Sequence, residues 1–291
     1  MEKKISYIIF QLIKYMDMVI FKTIRKSFLR WFPYFIEKNS YENLFIDNTK
    51  VNFFSPNHIT KWRTETFYSK EPETLEWIDK FDSKNKIIFW DIGANIGLYS
   101  VYASIKHDNC SIISFEPSTS NLRILSRNIF INNLNDRIKI FNNPLQSSLN
   151  ENQFLTMNES EFMEGHALNT FGENLDFEGK NFLPKMAYGL FGTSINFILD
   201  NKFLEIPDYI KIDVDGIEHI ILEGSGNHLS NKKIKGIQVE INENYKEQYD
   251  AIIKFMKENG FKFKFKTRNE KLKIYKTKEF SKTYNYYFFN E

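Results

Sequence analysis

One cysteine in 291 residues, Cys110, leaves no partner for an internal disulfide, so the framework of a small secreted fold is excluded and a reducing cytoplasm is expected. Histidine is nearly as sparse. His58, His107, His166, His219 and His228, with the lone thiol, show no ligand spacing of a structural zinc site, and no metal is expected. An excess of one charge is missing too, because 39 Lys+Arg against 37 Asp+Glu leave a net charge of +2. A dedicated nucleic-acid binder concentrates more positive charge, so no nucleic-acid partner is expected. What is present is 42% hydrophobic residues, which excludes global disorder and supports one large α/β domain or two small ones.

A membrane-spanning run is also absent. Residues 5–36 are rich in Ile, Phe, Tyr, Met and Trp, but the longest uncharged stretch, Ile5 to Ile13, is nine residues, well short of the roughly 20 that cross a bilayer. No small-residue cleavage site follows, which argues against a signal peptide. Residues 1–40 carry eight Lys/Arg and three Asp/Glu, a local +5, with Lys22, Arg25, Lys26 and Arg30 at helical spacing on one face. The expectation is an amphipathic basic extension over residues 1–40. Its segment 1–36 would lie on an anionic surface at the inner membrane face, or dock on the catalytic domain or on a second subunit of a homo-oligomer.

Residues 41–85 read as a strand-and-turn lead-in followed by a helix opened by Glu71-Pro72-Glu73-Thr74 and running to Lys80. From residue 86 the pattern is strand then helix, repeated. Ile87–Trp90, Ser111–Phe115, Ile138–Phe141, Tyr209–Val214 and Gly236–Ile241 are short apolar runs without clean alternation, as expected of parallel strands buried on both faces. Helical patterns at 97–106, 120–132, 217–229 and 245–259 separate them, giving a doubly wound α/β sheet. Phe261–Lys266 alternates with period two, a strand with one buried face, and Tyr284–Phe289 is its antiparallel partner. The interval 146–198, with scattered glycines and little periodicity, is expected to be a structureless insertion covering substrate.

The sharpest local signal is Asp91-Ile-Gly-Ala-Asn-Ile-Gly97 at the carboxyl end of the first parallel strand, where open α/β sheets bind ligands. Gly93 permits a tight turn with close backbone approach, and Gly97 lets the next helix approach the sheet. Two glycines do not make the three-glycine dinucleotide pattern, and no Gly-Lys-Ser/Thr follows as in a phosphate loop. An NAD-dependent oxidoreductase is therefore disfavoured. Asp91 would repel phosphate and attract a sulfonium, so S-adenosylmethionine fits. Glu116, nineteen residues beyond Gly97, ends the second strand at the interval where a carboxylate accepts ribose hydroxyls. The expected cofactor contacts are Asp91, Gly93, Asn95, Gly97 and Glu116.

These motifs, with Phe115-Glu116-Pro117, the helix bearing Asn128 and Asn132, Ile210-Lys-Ile-Asp-Val-Asp-Gly216 and Val239-Glu240-Ile241, resemble in order and spacing the FkbM family of S-adenosylmethionine-dependent methyltransferases. The resemblance covers residues 60–291 and departs from the family pattern at Asn142-Asn143-Pro144-Leu145. It implies a Rossmann-like seven-stranded class I methyltransferase sheet over residues 86–291 behind an N-terminal helical extension. The implied reaction is O-methylation of a sugar or polyketide hydroxyl, with a glycan or small-molecule acceptor; a non-catalytic nucleoside-binding module is the competing reading.

In Asp213-Val-Asp-Gly-Ile-Glu-His219, Asp215 and Glu218 read as N-cap and N3 partner of the next helix. Asp213 ends its strand facing the crevice and is expected to orient the acceptor. His219, near a helix start, and His166, in the glycine-rich insertion, are the candidate bases. A divalent ion on Asp213, Glu240 and Asn242 is conceivable, but no compact ligand motif joins them, so metal-independent transfer is expected.

Overall fold

The apolar runs become strands because each is flanked by turn-forming residues and offers side chains to both faces of a sheet. The computed structural model describes residues 2–150, 152–181, 183–270, 277 and 280–290. Helices α1 (Glu2–Ile24) and α2 (Phe32–Asn39) precede a hairpin, β1 (Tyr41–Ile46) with β2 (Thr49–Phe54), and three short helices, α3 (His58–Glu65), α4 (Phe67–Lys70) and α5 (Pro72–Asp79). Then come β3 (Ile87–Ile92), α6 (Leu98–Lys106), β4 (Cys110–Phe115), α7 (Thr119–Ile131) and β5 (Ile138–Phe141). An insertion holds β6 (Phe154–Glu159), β7 (Thr170–Phe171) and β8 (Met186–Phe191). The chain closes with α8 (Ile195–Asp200), β9 (Tyr209–Ile212), α9 (Glu218–Glu223), β10 (Gly236–Asn242), α10 (Lys246–Glu258), β11 (Phe261–Thr267) and β12 (Thr283–Asn290).

The main sheet runs β11-β12-β10-β9-β3-β4-β5, with β12 antiparallel to both its neighbours and the other pairs parallel. Five parallel strands closed by an antiparallel hairpin is the expected seven-stranded Rossmann-like arrangement. The strand order reverses at β3, which lies between β4 and β9, so a crevice opens above its carboxyl end. Every residue of β3 and β9 is buried, which explains their largely apolar character, interrupted by Asp91 in β3 and Lys211 in β9.

Four expectations change. The α1 helix stops at Ile24, where Arg25 takes a φ of 55°, so Lys22 and Arg30 do not share one helical face. It is stopped by Asp17, whose carboxylate accepts Ser27 Oγ (2.8 Å) and the N–H groups of Phe28 (2.7 Å) and Leu29 (3.1 Å) and turns the chain aside. Nor does α1 dock on the catalytic domain, since none of its described side chains is buried. The insertion is not structureless: β7-β6-β8 form an antiparallel sheet, and β8 alternates between half-buried and exposed residues, a period-two signal hidden by its glycine. Finally, β11 lacks the buried face that its alternation promised. It is the sheet edge, with Phe263 and Phe265 exposed.

Two asparagines tie the lead-in to the sheet. Asn128, fully buried on α7, accepts Phe54 N–H (2.8 Å) and donates to Ile96 O (2.8 Å), bridging the hairpin to the turn before α6. Asn132, one turn on, accepts Asn52 N–H and donates to Asn52 O. Removing a buried amide leaves both backbone groups unpaired, at about 1–3 kcal/mol each. Asn128→Ala is therefore expected to cost about 2–5 kcal/mol, and the partly buried Asn132→Ala less, measured as shifts in the urea midpoint at constant slope.

Candidate active site

The crevice above β3 is divided into two chambers that share Gly93, Asn95, His166, Ala167, Asp213 and Asp215. The first is otherwise walled by Phe115, Glu116, Pro117, Leu145, Ile217 and Ile221. The second opens between α3, α4 and α6, where Trp62, Arg63, Lys70, Tyr99, Lys211 and Glu240 line it.

The turn after β3 is fixed by backbone bonds. Gly93 and Ala94 N–H both donate to Phe115 O, at 3.0 Å each, and Asn95 N–H donates to the Glu116 carboxylate at 2.7 Å. Gly93 has a φ of 84°, and a Cβ there would lie 1.9 Å from Asp213 O. The glycine is thus required by the close approach of β9 as well as by the turn. Gly97, also left-handed, lies beneath the site at the α6 N-terminus, where a Cβ would meet Leu125 Cδ1 at 2.6 Å. Glu116 accepts a second N–H, from Ser118, at 2.9 Å, and burial nonetheless pushes its pKa up to about 8. Asn95 Oδ1 is buried without a hydrogen-bond partner among the described residues.

Asp91 does not reach either chamber. It is fully buried below the turn, accepts Ser100 Oγ at 2.6 Å, and pairs in register with Lys211 of β9 and Ser114 of β4. Burial raises its pKa, opposed by the Lys211 charge. Lys211 is 1% exposed and donates to Asp213 at 2.9 Å. Burial raises the Asp213 pKa, but the charges of Lys211 and Lys70 win and hold it below the usual carboxylate value.

Around this pair a charged network forms. Glu71, Asp213 and Glu240 each bring a carboxylate oxygen within 4.8 Å of the others. Lys70 pairs with Glu71, which also accepts Tyr99 Oη at 2.8 Å. Burial and then the negative charges of Asp213 and Glu71 raise the Glu240 pKa well above its ordinary value. Lysines thus already neutralise two of the three carboxylates, and the third favours its protonated form.

A strap of the insertion, residues 164–168, covers the crevice. Gly165 N–H donates to Asn121 Oδ1 (2.8 Å), Arg63 Nε donates to Gly165 O, Asn95 and Asn121 donate to His166 O (3.0 and 3.3 Å), and Leu168 N–H donates to Asp215 (2.7 Å). Asp215 therefore fastens the strap and does not cap α9, whose N-cap is Ile217. Burial and then the Asp213 charge push the Asp215 pKa up to about 6. Glu218 accepts N–H from Val214 (3.1 Å) and Gly216 (3.1 Å), closing its own approach turn.

The two histidines separate. His166 lines both chambers, and its Nδ1 lies 2.6 Å from Ala167 O, which can only accept; Nδ1 therefore carries the proton and Nε2 the lone pair. His219 lines neither chamber. It packs edge-on to Tyr245 at 5.7 Å, its Nδ1 has no partner among the described residues, and burial lowers its pKa to about 4. Trp62, Arg63, Lys70, Tyr99 and Lys211 were not anticipated. Lys211 alone left a signal, a lysine within an apolar strand two residues before an aspartate.

The family model described as "Methyltransferase FkbM domain" matches residues 91–263. A protein of Sordaria araneosa described as "Methyltransferase sdnD" is 30% identical over 196 residues, 62% of this chain and 74% of that protein. Among solved structures, the precorrin-6y C5,15-methyltransferase of Geobacter metallireducens GS-15 covers 76% of this chain and 87% of its own, with a TM-score of 0.44 and 14% identity. The ribosomal protein L11 methylase of Lactobacillus delbrueckii subsp. bulgaricus covers 76% and 78%, with a TM-score of 0.42 and 10% identity.

Lys211→Met removes the buried partner of Asp213, and breaking such a pair costs about 3–5 kcal/mol. The sign with pH follows from Asp213, whose depressed pKa stabilises the fold above its unfolded value and ceases to as pH falls. In the variant the uncompensated carboxylate can instead accept a proton. The loss of stability, read from urea midpoints, is expected to be largest near neutral pH and to shrink as the pH is lowered toward 5.

Proposed function

The chain belongs to the FkbM family of methyltransferases, and from that premise we propose that it transfers a methyl group from S-adenosylmethionine to a sugar hydroxyl of a bacterial surface glycan or glycolipid precursor. The observation that carries this reading is the wall shared by two chambers, because a transfer between two bound molecules needs both brought to one place.

The first chamber fits a nucleoside. Phe115, Pro117, Leu145 and Ile217 offer apolar surface for a heterocycle, and Glu116 retains carboxylate lone pairs beyond those taken by Asn95 and Ser118. The orphaned Oδ1 of Asn95 calls for a donor, and an unpaired buried oxygen costs about 1–3 kcal/mol until one arrives. When bound, S-adenosylmethionine supplies a methyl group activated by positively charged sulfur. Asp213, kept ionised by Lys211, contributes negative potential at the shared wall.

The second chamber suits the acceptor. The rings of Trp62, Phe67, Tyr99 and Phe280 provide faces for a sugar, while Arg63 and Glu240 provide polar edges. An alcohol must lose its proton as the new bond forms. His166 is the base that fits, since its tautomer leaves Nε2 free to accept, whereas His219 lies outside the chamber. Asp213 orients the hydroxyl.

Glu116→Ala is expected to weaken S-adenosylmethionine binding about ten- to hundredfold by calorimetry. Hydroxyl donors favour the ionised Glu116, so binding releases a proton and tightens as pH rises through about 8; the same raised pKa makes Glu116 destabilise the ligand-free fold over that rise. Equal parent and variant affinities with no proton release would remove the ribose role. His166→Asn should lower turnover by about 10²- to 10⁴-fold while cofactor affinity holds. Activity abolished by EDTA, restored by magnesium and indifferent to His166 would favour a metal on Glu71, Asp213 and Glu240 instead.

A further inference from the structure

Helix α1 departs from the rest of the chain in exposing apolar residues over most of its surface. Ile5, Ile8, Ile9, Leu12, Met16 and Val19 follow the i, i+3, i+4, i+7 spacing of one stripe and stand exposed, Leu12 at 60%. On the other side lie Lys3 and Lys14, and Lys4 and Lys22 stand along its flank. After the turn fixed by Asp17, a second exposed cluster follows in Trp31, Tyr34, Phe35 and Ile36, with Arg30 over the Trp31 ring and Lys38 over the Tyr34 ring. Aromatic residues beside basic ones are the composition of a membrane interface.

The charges select the occupant. Of the three acidic residues in 1–40, two are turned inward: Asp17 holds its own chain, and Glu37 is taken by Arg127 and Arg123 of α7. Only Glu2 is left to face eight basic residues. A second copy of this surface would bring lysine against lysine, and Glu2 at the start of the helix is the single acidic position beside the apolar stripe, too few to pair along a two-helix seam. An anionic lipid surface supplies both an apolar phase and the opposite charge. No helix of the described residues is long and apolar enough to cross the bilayer, so the helix would lie in its surface.

We propose that α1, with the Trp31–Ile36 segment, is an interfacial anchor that binds the protein to membranes rich in anionic lipid. The anchor meets the catalytic domain beside the strap over the crevice, because Arg123, paired with Glu37, also pairs with Glu164 at 3.1 Å. Nothing in this proposal depends on the identity of the acceptor.

The test is flotation of the full-length protein with vesicles of phosphatidylcholine alone or with phosphatidylglycerol added. Binding is expected only with phosphatidylglycerol, weakening as salt is raised. Lys14→Gln and Lys22→Gln should each reduce partitioning by about fivefold, and Leu12→Glu or Val19→Glu should abolish it. These side chains are exposed on α1, so the thermal midpoint and S-adenosylmethionine affinity should stay unchanged, which separates failure of the anchor from failure of the methyltransferase reading. Absence of flotation at low salt, or equal flotation with neutral vesicles, would overturn the proposal. So would a dimer in sedimentation equilibrium that Leu12→Glu dissociates, since the stripe would then face a second copy.

Discussion

The ion pair between Lys211 and Asp213 is the constraint on which the site depends. A lysine in the middle of a fully buried strand is costly unless its charge is met. Here it is met on three sides, by Asp213 just past the end of its own strand, by Asp91 in register on β3, and by Glu71 at the end of α4. The same lysine permits several carboxylates to crowd one end of a sheet. Without it Asp213 would favour its protonated form and the shared wall would lose part of its negative potential. The backbone of Asp213 is held just as firmly, because its carbonyl occupies the space that any side chain at position 93 would need.

From that fixed floor the strap can be understood as a roof held by polar bonds. Residues 164–168 are joined to α3 by Arg63, to α7 by Asn121, to the turn after β3 by Asn95, and to the turn after β9 by Asp215. None of these is an apolar contact of the core. Hydrogen bonds at a crevice exchange readily with water, so a strap held this way can open for a ligand at less cost than one packed on hydrophobic surface.

The parallel strands were legible because two-sided burial leaves continuous apolar runs, and the turn after β3 because few residues other than glycine tolerate its conformation. The insertion was not legible. Its order comes from partners far along the chain, such as Asn121 for Gly165 and Asp215 for Leu168, which no local period reveals. Position also misled. Glu71 read as a helix opener opposing a dipole, yet it is fully buried and bonded to Lys70 and Tyr99. Asp91 read as a ligand contact because it adjoins the turn, but alternation along β3 carries its side chain beneath the crevice toward Ser100 and Ser114. In Asp215 and Glu218 the spacing of a capping box was present, and the left-handed conformation of Asp215 redirected both carboxylates.

The charge balance of the second chamber bears on the acceptor proposed for it. Arg63, Lys70 and Lys211 bring three positive charges to its lining and Asp213 and Asp215 two negative ones, the latter with a pKa near 6, while Glu71, behind the lining, pairs with Lys70. Burial and then its carboxylate neighbours raise the Glu240 pKa and favour its protonated form. An anionic group entering such a chamber would face balanced charge with no surplus cation to meet it, and its desolvation would go uncompensated. A neutral acceptor rich in hydroxyls meets no such penalty, because carboxylates, a protonated carboxyl and a guanidinium together offer both acceptors and donors to its edges. The aromatic rings around them then cover the faces of the ring. For the transfer proposed above, this balance favours a neutral sugar over a phosphorylated one as the acceptor.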